Sequence, residues 1–219
     1  NVKFINQGAF ENCAINGTLN LNNVVAIADY AFAGNAGIKA VNLPATLQSL
    51  GAYCFGNNKA LKSVSIKAEK IKLGEYAFSD CSSLEAISIN AAVIPAGAFN
   101  QCTSLTDVTL GRDVSVVSEY AFRGTAIAKF KLDSANTTFY SKDNGEYLTN
   151  KAGNELVLIA PGVSGSFSVT DGSITSIGNA AFSGNLRITS VNIPSVTRVG
   201  AYAFAYCQNL STITLGTLT

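Results

Sequence analysis

The sequence predicts a leucine-rich-repeat solenoid, a right-handed superhelix whose stacked turns build a parallel β-ladder of about nine strands. Three observations predict it. A phenylalanine recurs at Phe10, Phe32, Phe55, Phe78, Phe99, Phe122, Phe182 and Phe204, at intervals of 22, 23, 23, 21, 23, 60 and 22 residues. A fixed period in the twenties marks this solenoid class. Nine and eleven residues after the phenylalanine comes a hydrophobic pair: Leu19 and Leu21, Val41 and Leu43, Val64 and Ile66, Ile87 and Ile89, Val108 and Leu110, Val191 and Ile193, Ile213 and Leu215. Hydrophobes two apart put both side chains on one face of a strand. Others lie six after it (Ile38, Leu61, Leu84, Leu105) and five before it (Ile5, Ile27, Leu50, Ile94). Each turn thus carries about six inward side chains that only a neighbouring turn can cover.

Within a turn the elements follow in order. Gly51, Gly74, Gly178 and Gly200 stand four before the phenylalanine, where the chain enters a compact Tyr-Ala-Phe segment. That segment has room for about one turn of α- or 3-10 helix. The residue before the phenylalanine is alanine in seven turns and Cys54 in the eighth, so the site demands a small side chain. Three after it lie Cys13, Cys81, Cys102 and Cys207, or Asn35, Asn58, Thr125 and Asn185. A position shared by cysteine and asparagine suits the capping of backbone groups inside the coil. The strand follows, and Pro44 and Pro194 close it where a missing amide donor is tolerated.

The sixth turn slips by one residue, its inward pair being Phe130 and Leu132. The 60-residue interval holds one further strand, Ser166-Phe167-Ser168-Val169, so that turn is oversized by about 15 residues for this class. The excess, at about 133–165, reads as a β-hairpin: Glu146–Thr149, a turn at Asn150–Asn154, then Glu155–Ile159. It is expected to leave the regular coil and project, with Lys151-Ala152-Gly153 as its mobile tip. Pro161-Gly162 and Gly165 lead the chain back. Residues 1–219 are therefore expected to form one solenoid domain with this insert. The chain begins and ends within repeats, without polar capping turns, which suggests a fragment of a longer protein.

Composition excludes several classes. With 47% hydrophobic and 13% charged residues the chain is foldable, and a formal charge of +1 gives no case for nucleic acid or an anionic membrane. No apolar run approaches the roughly 20 residues of a membrane helix. There is no histidine, which removes the commonest general base and zinc ligand. No phosphate-binding or nucleophile-elbow motif is present. Asp143-Asn144-Gly145-Glu146 has two calcium-loop carboxylates but not the remaining oxygens, and reads as a turn. No catalytic residue, metal or cofactor is expected. Asn16-Gly17-Thr18, Asn136-Thr137-Thr138 and Asn209-Leu210-Ser211 fit the glycosylation sequon.

Three columns of side chains are candidate sites. Cys81 and Cys102 belong to successive turns, about 5 Å apart like neighbouring strands. Their parallel Cα–Cβ vectors suit a buried thiol ladder better than a disulfide. Tyr30, Tyr53, Tyr76, Tyr120 and Tyr202 lie two before the phenylalanine, either as a platform for sugar rings or as a half-buried ladder with wet hydroxyls. Between the inward strand residues lies an outward row: Asn42, Ser65, Ser88, Thr109, Lys131, Ser168 and Asn192. On a concave solenoid face these short polar side chains let an extended ligand or protein loop approach closely; equally, they form a solvated ladder.

The phrase Ile-Gly-x-Tyr-Ala-Phe-x-x-Cys-x-x-Leu-x-x-Val-x-Leu-Pro resembles the BspA-like leucine-rich repeats of bacterial cell-surface proteins. Ser176–Phe182 and Thr197–Phe204 are close matches, and Asn136–Leu148 resembles the family's non-repeat hairpin. The resemblance implies a non-catalytic, extracellular or surface-displayed module that binds host or matrix proteins in adhesion. A spacer displaying another domain and a glycan-binding module are the alternatives.

Overall fold

The computed structural model describes residues 2–217. Nine long-ladder strands run parallel, as the period-2 pairs require. Asn16–Asn20, Gly37–Leu43, Ser63–Ile66, Ala86–Ile89, Asp107–Leu110 and Lys129–Leu132 form one six-stranded sheet. Gly165–Ser168, Ile188–Ile193 and Thr212–Leu215 form a second sheet of three. The slip in the sixth turn is absorbed before its strand, since Val108 faces Phe130 and Leu110 faces Leu132.

Each turn also has a second, two-residue strand that the sequence did not reveal. Phe4–Ile5, Ala26–Ile27, Ser49–Leu50 and Lys72–Leu73 form a short parallel ladder, and Val93–Ile94 pairs with Val116–Val117. The residue after such a strand donates its amide one turn back: Gly51 to Ile27 O at 2.8 Å, Ser118 to Ile94 O at 2.9 Å. Pro95 occupies that place after Val93–Ile94 and has no hydrogen to give. The short ladder divides there.

The phenylalanines form the spine of the core. From Phe10 to Phe122 successive rings stack with centroids 5.1–5.6 Å apart and nearly parallel planes. Phe55, Phe78 and Phe99 are fully buried. Beyond Phe122 the regular stack ends: Phe130 meets Phe122 at a tilt, Phe167 meets Tyr147 and Phe182 edge-on, and Phe182 and Phe204 stack again.

The Tyr-Ala-Phe segment is not a helix. The only 3-10 helix among the described residues is Asp143–Gly145. Instead, two left-handed residues flank each phenylalanine. Two before it, φ is positive at Gly8, Tyr30, Tyr53, Tyr76, Gly97, Tyr120, Ala180 and Tyr202. Two after it, φ is positive at Asn12, Gly34, Asn57, Asp80, Gln101, Gly124, Gly184 and Tyr206. Between them isolated i→i+3 bonds form, such as Gly56 N to Tyr53 O at 2.9 Å. The entry glycines serve a different need. A Cβ on Gly51 would lie 2.5 Å from the backbone of Ala28, and one on Gly74 2.4 Å from Ala52 N. Only glycine permits this approach of successive turns.

The insert does not project. Tyr147–Asn150 and Glu155–Ile159 pair as expected, with Tyr147 opposite Ile159 and Leu148 opposite Leu158. A third strand, Phe139–Lys142, adds antiparallel to the first. Glu155–Ile159 then pairs parallel with Ser176–Ile177 and so continues the short ladder. The reason is burial. Phe139 and Leu148 join the core of the first turns, while Tyr147, Leu156 and Ile159 join that of the last. At the tip, Lys151 Nζ donates to Asn136 O at 3.1 Å and lies 4.0 Å from the Tyr140 ring centre.

Candidate functional site

The strand register decides which outward side chains meet. Asn42 faces both Asn20 and Ser65, and Thr109 faces both Ser88 and Lys131. Ser63 opposite Ala86 sets Ser65 beside Ser88. Asn42, Ser65, Ser88, Thr109 and Lys131 therefore form one row. Ser168 and Asn192 face each other in a second row, on the far side of the insert.

Hydrogen bonds join some neighbours within and beside these rows. Asn42 Nδ2 donates to Asn20 Oδ1 at 2.7 Å, and Asn192 Nδ2 to Ser168 Oγ at 3.4 Å. Ser190 Oγ donates to Ser166 Oγ at 2.8 Å. The one formal charge in the first row, Lys131, pairs with Asp107 at 2.6 Å. Both partners are well exposed, so this ion pair adds little stability. The chemistry offered is that of hydroxyls and amides.

Between the rows the interruption opens a cleft of about 450 Å³, which the sequence did not predict. Asp143, Glu146, Ser164, Ser166 and Ser168 line it, with Phe167 beneath. The Asp143–Glu146 segment is a sharp turn built around the 3-10 helix Asp143–Gly145. Asp143, Asn144 and Gly145 all have positive φ, and a Cβ on Gly145 would lie 2.6 Å from Phe130 O. Among the described residues no group of three or more acidic, cysteine or histidine side chains is placed to hold a metal ion.

Three of the column's five tyrosines stack on one another, while Tyr202 is exposed. Tyr30, Tyr53 and Tyr76 have centroids 5.1 and 4.9 Å apart and planes within 6°. Faces turned to each other are closed to sugar rings, which leaves edges and hydroxyls. The column stops at Gly97, where any Cβ would enter the Tyr76 ring.

The cysteine-or-asparagine column caps the coil. Asn58 Nδ2 donates to Phe32 O at 3.0 Å and to Phe55 O at 2.7 Å. Cys81 and Cys102 make the equivalent bonds with their thiols, to Phe55 O at 3.1 Å and Phe78 O at 3.0 Å. All five cysteines are free, with Cys54, Cys81 and Cys102 buried. Burial pushes the Cys81 thiol up to about 12 and raises Cys54 and Cys102 as well.

Against this geometry the sequence matches the BspA-type leucine-rich repeat region in six copies, over residues 26–143 and 166–219. The chain belongs to the BspA-type leucine-rich repeat family. The unmatched stretch between the two spans falls inside the insert, where the BspA-type coil gives way to antiparallel strands. Solved structures share the fold at low identity. The pneumococcal vaccine antigen PcpA is 20% identical with a TM-score of 0.65, over 99% of this chain and 57% of its own. A leucine-rich repeat protein from Eubacterium ventriosum is 15% identical with a TM-score of 0.60, over 91% and 68%. A leucine-rich cell surface protein from Faecalibacterium prausnitzii is 22% identical with a TM-score of 0.50, over 91% and 69%. No match was found among curated proteins. No helix among the described residues is long and apolar enough to cross a membrane.

Proposed function

We propose that this chain is a non-catalytic binding module of a surface-displayed or secreted bacterial protein. It engages a protein of a host or matrix surface through Asn42, Ser65, Ser88, Thr109 and Lys131, with Ser168 and Asn192 extending the surface beyond the insert. The observation that carries this reading is the in-register row itself. Its short side chains place hydroxyls and amides at regular strand spacing, and a partner can approach the ladder closely. Family membership supports an interaction role, and one structural neighbour is described as a leucine-rich cell surface protein.

An array of matrix proteins and glycans identifies the ligand. Replacing Ser65, Ser88 and Thr109 together with arginine then tests the surface. The triple variant is expected to stay folded and lose binding, because three long cations displace the partner from the strands. The nearly neutral row predicts weak dependence on salt. A folded triple variant that binds normally would move the site elsewhere.

A further inference from the structure

Beyond Gly97 the tyrosine position is filled again by Tyr120 and is then lost in the turn of the insert. In the turn before Phe182, Ile159 takes the phenylalanine's place. Its amide donates to Ala181 O at 2.9 Å, as that of Phe99 donates to Ala121 O at 2.8 Å. Leu156 aligns with Ile177, so only Val157 and Leu158 fit between strand and spine, and no tyrosine is present. Into this gap reach side chains from either side. Tyr120 and Tyr206 meet edge to face with centroids 5.6 Å apart. The guanidinium carbon of Arg123 lies 5.8 Å from one ring centre and 5.1 Å from the other.

Beneath them is a pocket of about 20 Å³ whose walls include Tyr120, Arg123, Leu158, Phe182 and Ser183. Arg123 Nε and Ser183 Oγ are both buried and without a hydrogen-bond partner. Among the described residues Arg123 forms no ion pair; the ion pairs there are Lys70 with Asp113 and Lys131 with Asp107. Glu119, next to Tyr120, is exposed. A partly desolvated guanidinium without a counter-charge is costly, and its best partner is an oxyanion.

We propose that this seam is an oxyanion-binding site, where one oxygen of a carboxylate or sulfate enters the pocket and accepts hydrogen bonds from Arg123 Nε and Ser183 Oγ. The volume fits a single oxygen, with the rest of the group outside. A water molecule fits the same space but leaves the charge uncompensated. Tyr120 and Tyr206 hold the guanidinium plane by cation–π contact. Burial, reinforced by Tyr206, raises the Tyr120 pKa above its ordinary value. The site shares no residue with the outward row.

The test is NMR of the ¹⁵N-labelled full chain titrated with sodium sulfate, with sodium acetate, and with sodium chloride at matched ionic strength. The Arg123 Nε–Hε and Ser183 amide signals are expected to shift and saturate with sulfate or acetate but not with chloride. Saturation by acetate alone assigns the site to carboxylates such as acidic peptide side chains; saturation by sulfate alone assigns it to sulfate groups. Arg123→Gln is expected to abolish saturation, and Ser183→Ala to weaken it about threefold to tenfold. Ser183→Ala, which removes one hydroxyl, carries the test if Arg123→Gln does not fold. Shifts that match chloride and never saturate, or an affinity unchanged in the folded variants, would overturn the proposal.

Discussion

Cys102 donates its thiol hydrogen to the carbonyl oxygen of Phe78, one turn back, at 3.0 Å. In the next turns toward the N-terminus, Cys81 bonds Phe55 O and Asn58 bonds Phe32 O. One geometric task, the satisfaction of a buried carbonyl between stacked rings, explains why cysteine and asparagine share this position. The thiols are hydrogen-bond donors built into the core.

It follows that Cys102→Ala leaves the Phe78 carbonyl only its long bond from the Cys81 amide at 3.4 Å and costs about 1–2 kcal/mol. Cys102→Asn restores a donor in the geometry already used by Asn58, and is expected to stay within about 1 kcal/mol of the parent. Urea unfolding of both variants checks this. Equal losses in the two would mean that volume, and not the hydrogen bond, sets the residue.

The same thiols make stability sensitive to alkali. Burial raises Cys54, Cys81 and Cys102 in the folded chain, Cys81 to about 12, while an unfolded thiol ionises near its ordinary value of about 8.5. Above that value the unfolded chain binds fewer protons than the folded one, so stability falls as pH rises. The contribution is full below about pH 8 and is lost through about pH 12. Tyr147, held up to about 12 by burial and then by Asp143 and Asp171, adds to the decline. Cys81→Ser keeps a donor but does not titrate in this range. Its urea midpoint is expected to fall less steeply between about pH 9 and 12 than that of the parent. Identical slopes would contradict the assignment.

What the sequence revealed and what it hid have physical causes. The long ladder was legible because Val64 and Ile66, or Ile87 and Ile89, alternate across a strand and leave a period-2 trace. The outward row followed from the same alternation. The two-residue strands, such as Ser49–Leu50, contribute one inward side chain each, and one residue has no period. The left-handed positions after the phenylalanine were written in Gly34, Asn57, Gly124 and Gly184, residue types that favour that region. Those before it were hidden, because tyrosine gives no such signal. The separation of Ser168 and Asn192 from the rest of the row was illegible for another reason. It depends on whether the insert projects or is spliced into the short ladder, and that is decided by the long-range pairing of Leu156 with Ile177.

Asn136 ties the insert to the turn before it. Its Nδ2 donates to Gly111 O and Val114 O, both at 2.9 Å, and its Oδ1 accepts from the amides of Thr138 and Phe139 at 3.0 Å. The residue is buried, and both amide hydrogens are in use. The sequon Asn136-Thr137-Thr138 is therefore closed to glycosylation in the folded chain. Asn136→Ala removes four hydrogen bonds, leaves the Gly111 carbonyl only its bond from the Val114 amide at 3.2 Å, and is expected to cost about 2–4 kcal/mol. Asn136→Asp keeps the shape but sets a carboxylate against the Gly111 and Val114 carbonyl oxygens. Near neutral pH it should be less stable than the alanine variant, because the charge is buried and faces only acceptors there. On acidification the new carboxyl takes up a proton, gains a donor and bonds one carbonyl, so the gap to alanine should narrow by about pH 4. Urea unfolding of both variants at the two pH values measures this. A gap that does not change with pH would show that Asn136 is held by packing alone.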